Sequence, residues 1–360
     1  MAVEKDPFYL NQFTQPPSTI YSSPTITINL GRFVSSDDVT TTGDSDVPRK
    51  RPRVSDSFDD DATLVSRFEV IASFHLHVLG LTTHSLYFAG LISFNGREVA
   101  ENHVDFEAPW QNLDDEFARI AFSCFADFIY SGNYDVSRYS LSCDGKRVTL
   151  QRLGVHLIIN GMVYVLGERI LAEGLKKVAL KKVYRLFYGY HLFERLNTED
   201  KFSDTLPRVR MYLASFEYPS RWAVNYRLAI DILFKHTPRK CGPAWEPPTP
   251  TEDNLVAKPD EKPFFTSIAR AFWAGKEPMR NLFAAFFASI WNLPRAEDGR
   301  PVPENAIENR RLLIADQPEF MEHLLGYLTA ARGKCHFMDL PITEFGLELS
   351  DGDEVKTMPV

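Results

Sequence analysis

The spacing of apolar residues changes period several times along the chain. In "PTITINLG", residues 24–31, Ile26, Ile28 and Leu30 alternate with polar neighbours and the run stops at Gly31, which predicts a short strand. In "LVSRFEVIASFHLHV", residues 64–78, Phe68, Val70, Ala72, Phe74, Leu76 and Val78 fall on alternate positions, so a strand or hairpin arm is expected. "LGLTTHSLYFAGLI" then turns helical. In "LDDEFARIAFSCFADFIYSGNY", residues 113–134, Phe117, Ile120, Ala121, Cys124, Phe125, Phe128 and Ile129 form a helical stripe that ends at Ser131-Gly132-Asn133. "HLIINGMVYVLGERI" and "AEGLKKVALKKVYRLFYGYHLF" predict two further helices.

Between the first two strands, few large apolar residues remain. Residues 32–66 read as a disordered insertion carrying a basic knot and an acidic run, and residues 1–23 as a disordered N-terminus. Beyond about residue 205 the pattern is helical again, in "RWAVNYRLAIDILFKHTP", "FFTSIARAFWAG", "MRNLFAAFFASIW" and "DQPEFMEHLLGYL". In the last, Asp316 is a candidate cap, Glu319 follows three residues later, and Phe320, Leu324 and Leu328 repeat on one face. The expected organisation is one α+β domain over 24–195, a helical C-terminal region over 205–345 with a Pro-rich loop at 237–263, and a tail at 346–360. No internal repeat or sustained heptad is visible.

Composition narrows the function classes. At 44% hydrophobic and 24% charged the chain can build a sizeable core, and its net charge of −8 does not suit a nucleic-acid glove. The four cysteines, Cys124, Cys143, Cys241 and Cys335, form no C-x-x-C pair, so free thiols in a reducing compartment are expected. The N-terminus lacks the apolar core of a signal peptide, and "NLFAAFFASIWNLP", residues 281–294, is too short to cross a bilayer. The expectation is a soluble intracellular protein with no membrane contact.

Catalytic motifs are missing: no P-loop, H-E-x-x-H, G-x-S-x-G or dinucleotide fingerprint occurs. Asp114, Asp115 and Glu116 are paired carboxylates in form, but at the first turn of a helix they complement its dipole. No enzyme and no cofactor is expected. His75 and His77 share one face of a strand, and His84 is a third candidate metal ligand. No carboxylate or cysteine keeps a recognised spacing beside them, so strand packing is the preferred reading and no metal is assigned. "LKKVALKKVYRLF", residues 175–187, puts Leu175, Ala179, Val183 and Leu186 on an apolar stripe and leaves Lys176, Lys177, Lys181, Lys182 and Arg185 mostly outward. No base-stacking set accompanies them, so a solvated face is preferred over direct nucleic-acid binding.

The order of these pieces resembles the BTB/POZ domain in its fungal form. The family's Phe-x-Val-His, Leu and Ser-x-Tyr-Phe correspond to Phe74, Leu76, His77, Leu81, Ser85, Tyr87 and Phe88. "FNGREVAEN" at 94–102 follows, then Tyr130, Gly132 and Tyr134 for the family's Tyr-Thr-Gly-x-Tyr, then "VYVLGERILAEGLKKVAL" at 163–180. These blocks cover about a third of the chain. Gly80 and Gly167 replace bulkier residues, and the link at 137–152 is longer than usual. The resemblance implies a short β-sheet flanked by a helical cluster, followed by an all-helical C-terminal region, and a non-catalytic protein–protein interaction module. His77 would be structural. Self-association is possible, and a monomer is credible because no N-terminal helix is visible.

The resemblance also implies a candidate cullin-binding triplet, Val99, Ala100 and Glu101, where relatives place a hydrophobic-x-Glu. An apolar anchor plus a carboxylate suits a small pocket with a basic rim; an ordinary loop is the alternative. Separately, Arg49, Lys50, Arg51, Pro52 and Arg53 form a dense basic run suited to a nuclear-import receptor, which points to a nuclear or nucleo-cytoplasmic protein. Ser57 precedes Asp59, Asp60 and Asp61, so phosphorylation there would add negative charge beside the run. Three readings follow: a nuclear scaffold or regulator, a substrate adaptor of a cullin-based E3 ubiquitin ligase, and a transcription-associated regulator without direct DNA reading.

Overall fold

A computed structural model describes residues 18–34, 67–110, 113–143, 146–149, 153–198, 219–237, 277–291, 311–312, 315–330 and 347. Ile26, Ile28 and Leu30 do alternate into the core, on a strand β1 (Thr25–Val34). β1 pairs antiparallel with β2 (Arg67–His77) and parallel with β3 (His103–Glu107), in the order β2-β1-β3. β1 runs on past Gly31, so residues 32–34 belong to the sheet and not to the expected insertion. A one-turn helix α1 (Ser18–Tyr21) precedes it, with Ile20 buried, so the expected disorder up to residue 23 does not hold for these residues.

The alternation expected along β2 breaks in the middle. Leu30 pairs with Ala72 and Gly31 with Val70, leaving Ile71 as the extra residue of a bulge. A one-residue slip moves every later side chain to the opposite face. Phe68 and Val70 therefore lie on the solvent face with Phe33, and Val70 is 48% exposed. Glu69 moves to the helical side, beside the Arg32 that pairs with it and with Asp115 at 2.9 Å. Gly31 is required at the bulge: a Cβ there would stand 2.3 Å from the Glu69 carbonyl oxygen and 2.6 Å from the Phe68 ring.

The helical segment after β2 is two helices, α2 (Val78–His84) and α3 (Leu86–Phe94), broken at Ser85. A single turn α4 (Arg97–Ala100) leads into β3. α5 (Asp115–Ser131) starts at Asp114, whose carboxylate accepts the Glu116 N–H at 2.9 Å, and ends at Gly132 with φ 68°, a left-handed cap that favours glycine. The long link is a hairpin, β4 (Ser140–Cys143) with β5 (Lys146–Thr149). Then come α6 (Leu153–Arg169), α7 (Glu173–Thr198), α8 (Pro219–His236), α9 (Pro278–Trp291) and α10 (Pro318–Ala330). The architecture is mixed α+β, a small sheet with many helices.

α6 lies at the centre. From Leu157 to Leu166 its residues are buried all round, the signature of a helix enclosed on every side. Leu233 of α8 approaches the space a Cβ on Gly161 would take, at 3.7 Å. Phe187 of α7 stacks on Phe286 of α9 at 3.8 Å, and Phe320 of α10 meets Phe234 and Phe287 edge-on. The C-terminal helices therefore share one apolar core with the sheet-bearing part rather than forming a separate body. The buried Arg280 of α9 ties the C-terminal helices to one another: it donates to the Phe234 carbonyl at 2.9 Å, to Thr237 Oγ1 at 2.7 Å and to Glu319 at 2.7 Å. A guanidinium on the last carbonyls of α8 satisfies acceptors that the helix leaves open. The cap of α10 is Gln317, whose carbonyl accepts the Met321 N–H, and not Asp316, which pairs with Arg227. Pro318 at the first helical position sets this start.

Candidate interaction surface

The three histidines that suggested a metal site go to different partners. His75 Nδ1 lies 3.0 Å from Thr27 Oγ1 on the solvent face of the sheet. His77 turns to Tyr130, and His84 packs edge-on against Phe128 with ring centroids 5.2 Å apart. Burial lowers the His84 pKa below its usual 6.5. Among the described residues no group of three or more His, Cys, Asp or Glu side chains is placed to hold a metal ion.

The motif residues sit at joints of the fold. Ser85 is buried; its hydroxyl accepts the Phe88 N–H at 3.2 Å, capping α3, and donates to the Ile170 carbonyl at 2.6 Å. Leu76 and Phe88 are core residues, and Phe74 is half-buried against the Phe122 ring. Tyr134 is buried and donates to Asn160 Oδ1 at 2.6 Å. Tyr87 is more exposed, its N–H directed to the Ile170 carbonyl at 3.3 Å. The two glycines that replace bulkier residues make room for neighbours. Gly80 faces Ile20 and Ile129, and a Cβ on Gly167 would meet Lys176 Cγ at 2.8 Å.

α3 carries what the spacing of apolar residues did not reveal. "LYFAGLISF" is apolar on every side, yet only Phe88 is fully buried. Leu86 is 69% exposed and Phe94 83% exposed. They lie two turns apart along one side of the helix, about 12 Å along its axis, with Gly90 between them and open space where its Cβ would be. Leu171, 51% exposed, adjoins Leu86 through the bond from the Leu86 N–H to the Leu171 carbonyl at 3.4 Å. Leu171 also holds φ 54°, the left-handed region that a branched side chain enters at a cost. An exposed leucine in that conformation carries two unfavourable features at once. A helix with no polar face, in a segment too short for membranes, was the signal available in the sequence.

The triplet begins five residues after Phe94. Val99 is half-buried at the end of α4, while Ala100 and Glu101 are exposed. The Glu101 carboxylate bonds Arg97 Nε at 2.5 Å and lies 3.6 Å from His103 Nδ1. It is thus held at the surface between two basic groups, within an ordered turn closed by Asn102 at φ 55°.

The basic face of α7 is less outward than expected. Lys176 is buried and pairs with both Glu168 and Glu173, its stem lying in the space left by Gly167. Lys182 is half-buried, with Nζ 4.8 Å from the centre of the Tyr134 ring. Long aliphatic stems explain both, because they bury readily while the ammonium seeks a carboxylate or a ring face. Lys177 stays exposed. The run Arg49, Lys50, Arg51, Pro52 and Arg53, Ser57, the helix expected at 264–275 and the cysteines Cys241 and Cys335 lie outside the described residues. Cys124 is a free buried thiol.

A second polar feature was not foreseen. Glu277, buried at the start of α9, accepts the Arg280 N–H at 2.9 Å and the Tyr164 hydroxyl of α6. Burial raises its pKa against the pull of the Tyr164 bond. Nothing in the local sequence pairs residues so distant. No helix among the described residues is long and apolar enough to cross a membrane. Comparison with protein-family models, with curated proteins and with solved structures finds no match for this chain.

Proposed function

We propose that this chain is a non-catalytic protein–protein interaction module of BTB/POZ type, acting as a nuclear scaffold or regulator. The observation that carries the proposal is the exposed apolar face of Leu86, Phe94 and Leu171. Water-exposed leucine and phenylalanine side chains on one rigid helix face, next to a strained Leu171, are the kind of surface that a protein partner covers. The family reading is supported by the order β1, β2, two short helices, β3 and α5, and by the positions of His77, Ser85, Tyr130, Gly132 and Tyr134 at its joints. Self-association through the same face is part of the proposal. The nuclear assignment rests on Arg49, Lys50, Arg51, Pro52 and Arg53 alone, and is tested by the nuclear fraction of a variant with these basic residues replaced by alanine.

Affinity capture with quantitative mass spectrometry, comparing wild type with Leu86→Asp/Phe94→Asp, tests the surface. The expected result is a defined set of proteins lost from a variant that melts like wild type. An unchanged set contradicts the proposal.

One observation favours a cullin ligase adaptor as a second reading: Glu101 is exposed on an ordered turn that closely follows Phe94. Calorimetric titration of a cullin N-terminal domain decides it. Micromolar binding weakened about tenfold by Glu101→Lys, a loss of about 1.4 kcal/mol, supports the adaptor. No binding removes it and leaves the scaffold or a transcription-associated regulator.

A further inference from the structure

β2 is an outer strand of the sheet β2-β1-β3, and among the described residues no strand pairs with its far edge. Two hydrogen bonds fix which main-chain groups face that edge. The Val78 N–H turns to the β1 side, to the Pro24 carbonyl, whereas the His77 N–H turns away from β1, to the Tyr130 hydroxyl. Main-chain direction alternates along a strand, so Leu76, Phe74 and Ala72 bond to β1 while the N–H and carbonyl groups of Ser73 and His75 point outward. The Thr27 N–H agrees: it goes to the Asn102 carbonyl on the β3 side, which leaves Ile26 and Ile28 to bond their partners Leu76 and Phe74. The outward stretch is bounded at both ends. Tyr130 occupies the His77 N–H, and the bulge at Ile71 bends the strand, each stop lying three residues from Phe74. From Val70 to His77 the sequence "VIASFHLH" holds no Asp, Glu, Lys or Arg, the charges that ordinarily protect an edge. Phe74 itself is only half-buried, beside the Phe122 ring.

We propose that the β2 edge is a contact between two copies of this chain, paired antiparallel about a two-fold axis at Phe74. A two-fold contact sets a patch against itself, so any charge near the axis would meet its own sign. An uncharged edge with stops at equal distances from its centre meets that requirement. In this register Ser73 faces His75 of the second copy, His75 faces its Ser73, and the two pairs exchange four main-chain hydrogen bonds. On the helical side Phe74 lies opposite Phe74, flanked by Ala72 against Leu76 on either side. The bulge of one copy falls opposite the capped His77 of the other, so both strands stop pairing together. The two three-stranded sheets become one. The contact is smaller than a standard interface, so the dimer is weak. It is separate from the exposed face of Leu86, Phe94 and Leu171, and does not depend on it.

The test is oxidative crosslinking of the full-length protein carrying Phe74→Cys, read by peptide mass spectrometry, with Val70→Cys as control. The two positions 74 form a non-hydrogen-bonded pair with α-carbons about 4.5 Å apart, within disulfide reach. The two positions 70 would stand about 27 Å apart, although Val70 is 48% exposed. The disulfide between positions 74 should form at least about ten times faster than that between positions 70. In sedimentation equilibrium up to roughly 500 μM, wild type and Leu86→Asp/Phe94→Asp should both dimerise. Ser73→Pro removes an outward N–H and no bond to β1, so it should stay monomeric with an unchanged circular dichroism spectrum; if it does not fold, Ser73→Lys, which sets like charges on both sides of the axis, replaces it. Equal crosslinking at 70 and 74 would overturn the proposal, as would a folded Ser73 variant that dimerises like wild type. A dimer lost only in Leu86→Asp/Phe94→Asp would overturn it in favour of the α3 face. Wild type monomeric throughout would overturn it and leave the edge to an extended segment of another protein.

Discussion

The Tyr130 hydroxyl of α5 accepts the backbone N–H of His77 at 3.1 Å and lies 2.9 Å from His77 Nδ1. One phenol thus serves the residue at which β2 becomes α2. Tyr21 of α1 stacks on the same ring, with centroids 5.8 Å apart, so the N-terminal turn is fixed at this joint as well. Tyr130→Phe keeps the stack and removes the acceptor. It should cost about 1–2 kcal/mol in urea unfolding, with no change in secondary structure by circular dichroism.

Ser85 has a comparable role between α2 and α3. Its hydroxyl caps α3 and reaches the carbonyl of Ile170 on the turn between α6 and α7. Ser85→Ala loses a cap and leaves a buried carbonyl with one bond fewer, so a loss of about 1–2 kcal/mol is expected. Ser85→Thr, which retains the hydroxyl, should recover part of it.

The continuous core predicts one unfolding event. Leu233 of α8 is fully buried beside Gly161 of α6. Leu233→Ala should cost about 2–5 kcal/mol and lower the melting temperature of the whole protein. Calorimetry should record one endotherm before and after the change. Two separated endotherms in wild type would mean that the C-terminal helices are an independent unit.

His84 gives the stability a pH dependence of defined sign. Burial depresses its folded pKa below 6.5, so the unfolded chain binds the proton more readily. The contribution is complete above pH 6.5 and is lost as pH falls through the folded value. Between pH 7.5 and 5.5 the melting temperature of wild type should fall further than that of His84→Leu, whose side chain has no proton to gain.

Local signals made much of the fold legible. Asp114 and Gly132 mark the ends of α5 because caps are written in one or two residues, and Ile26, Ile28 and Leu30 show the buried face of β1 directly. The failures are non-local. Nothing in "RFEVIASF" announces the bulge at Ile71, because the extra residue is defined only by pairing with Leu30 and Gly31 across an insertion. Lys176 points inward because Gly167, on another helix, leaves space for it. The join of Tyr164, Glu277 and Arg280 depends on helices more than a hundred residues apart in the chain. The triplet at 99–101 was visible as a motif, whereas the exposed face beside it was not, because an all-apolar α3 reads equally well as core.

The most direct measurement replaces Phe94 with a photo-crosslinking phenylalanine analogue in the full-length protein in cells, with Lys177, exposed on α7, as the control position. An interaction module that uses this face should give discrete higher-mass adducts from position 94 and none at comparable yield from 177. No adduct from 94, or equal yields from both positions, would contradict the account.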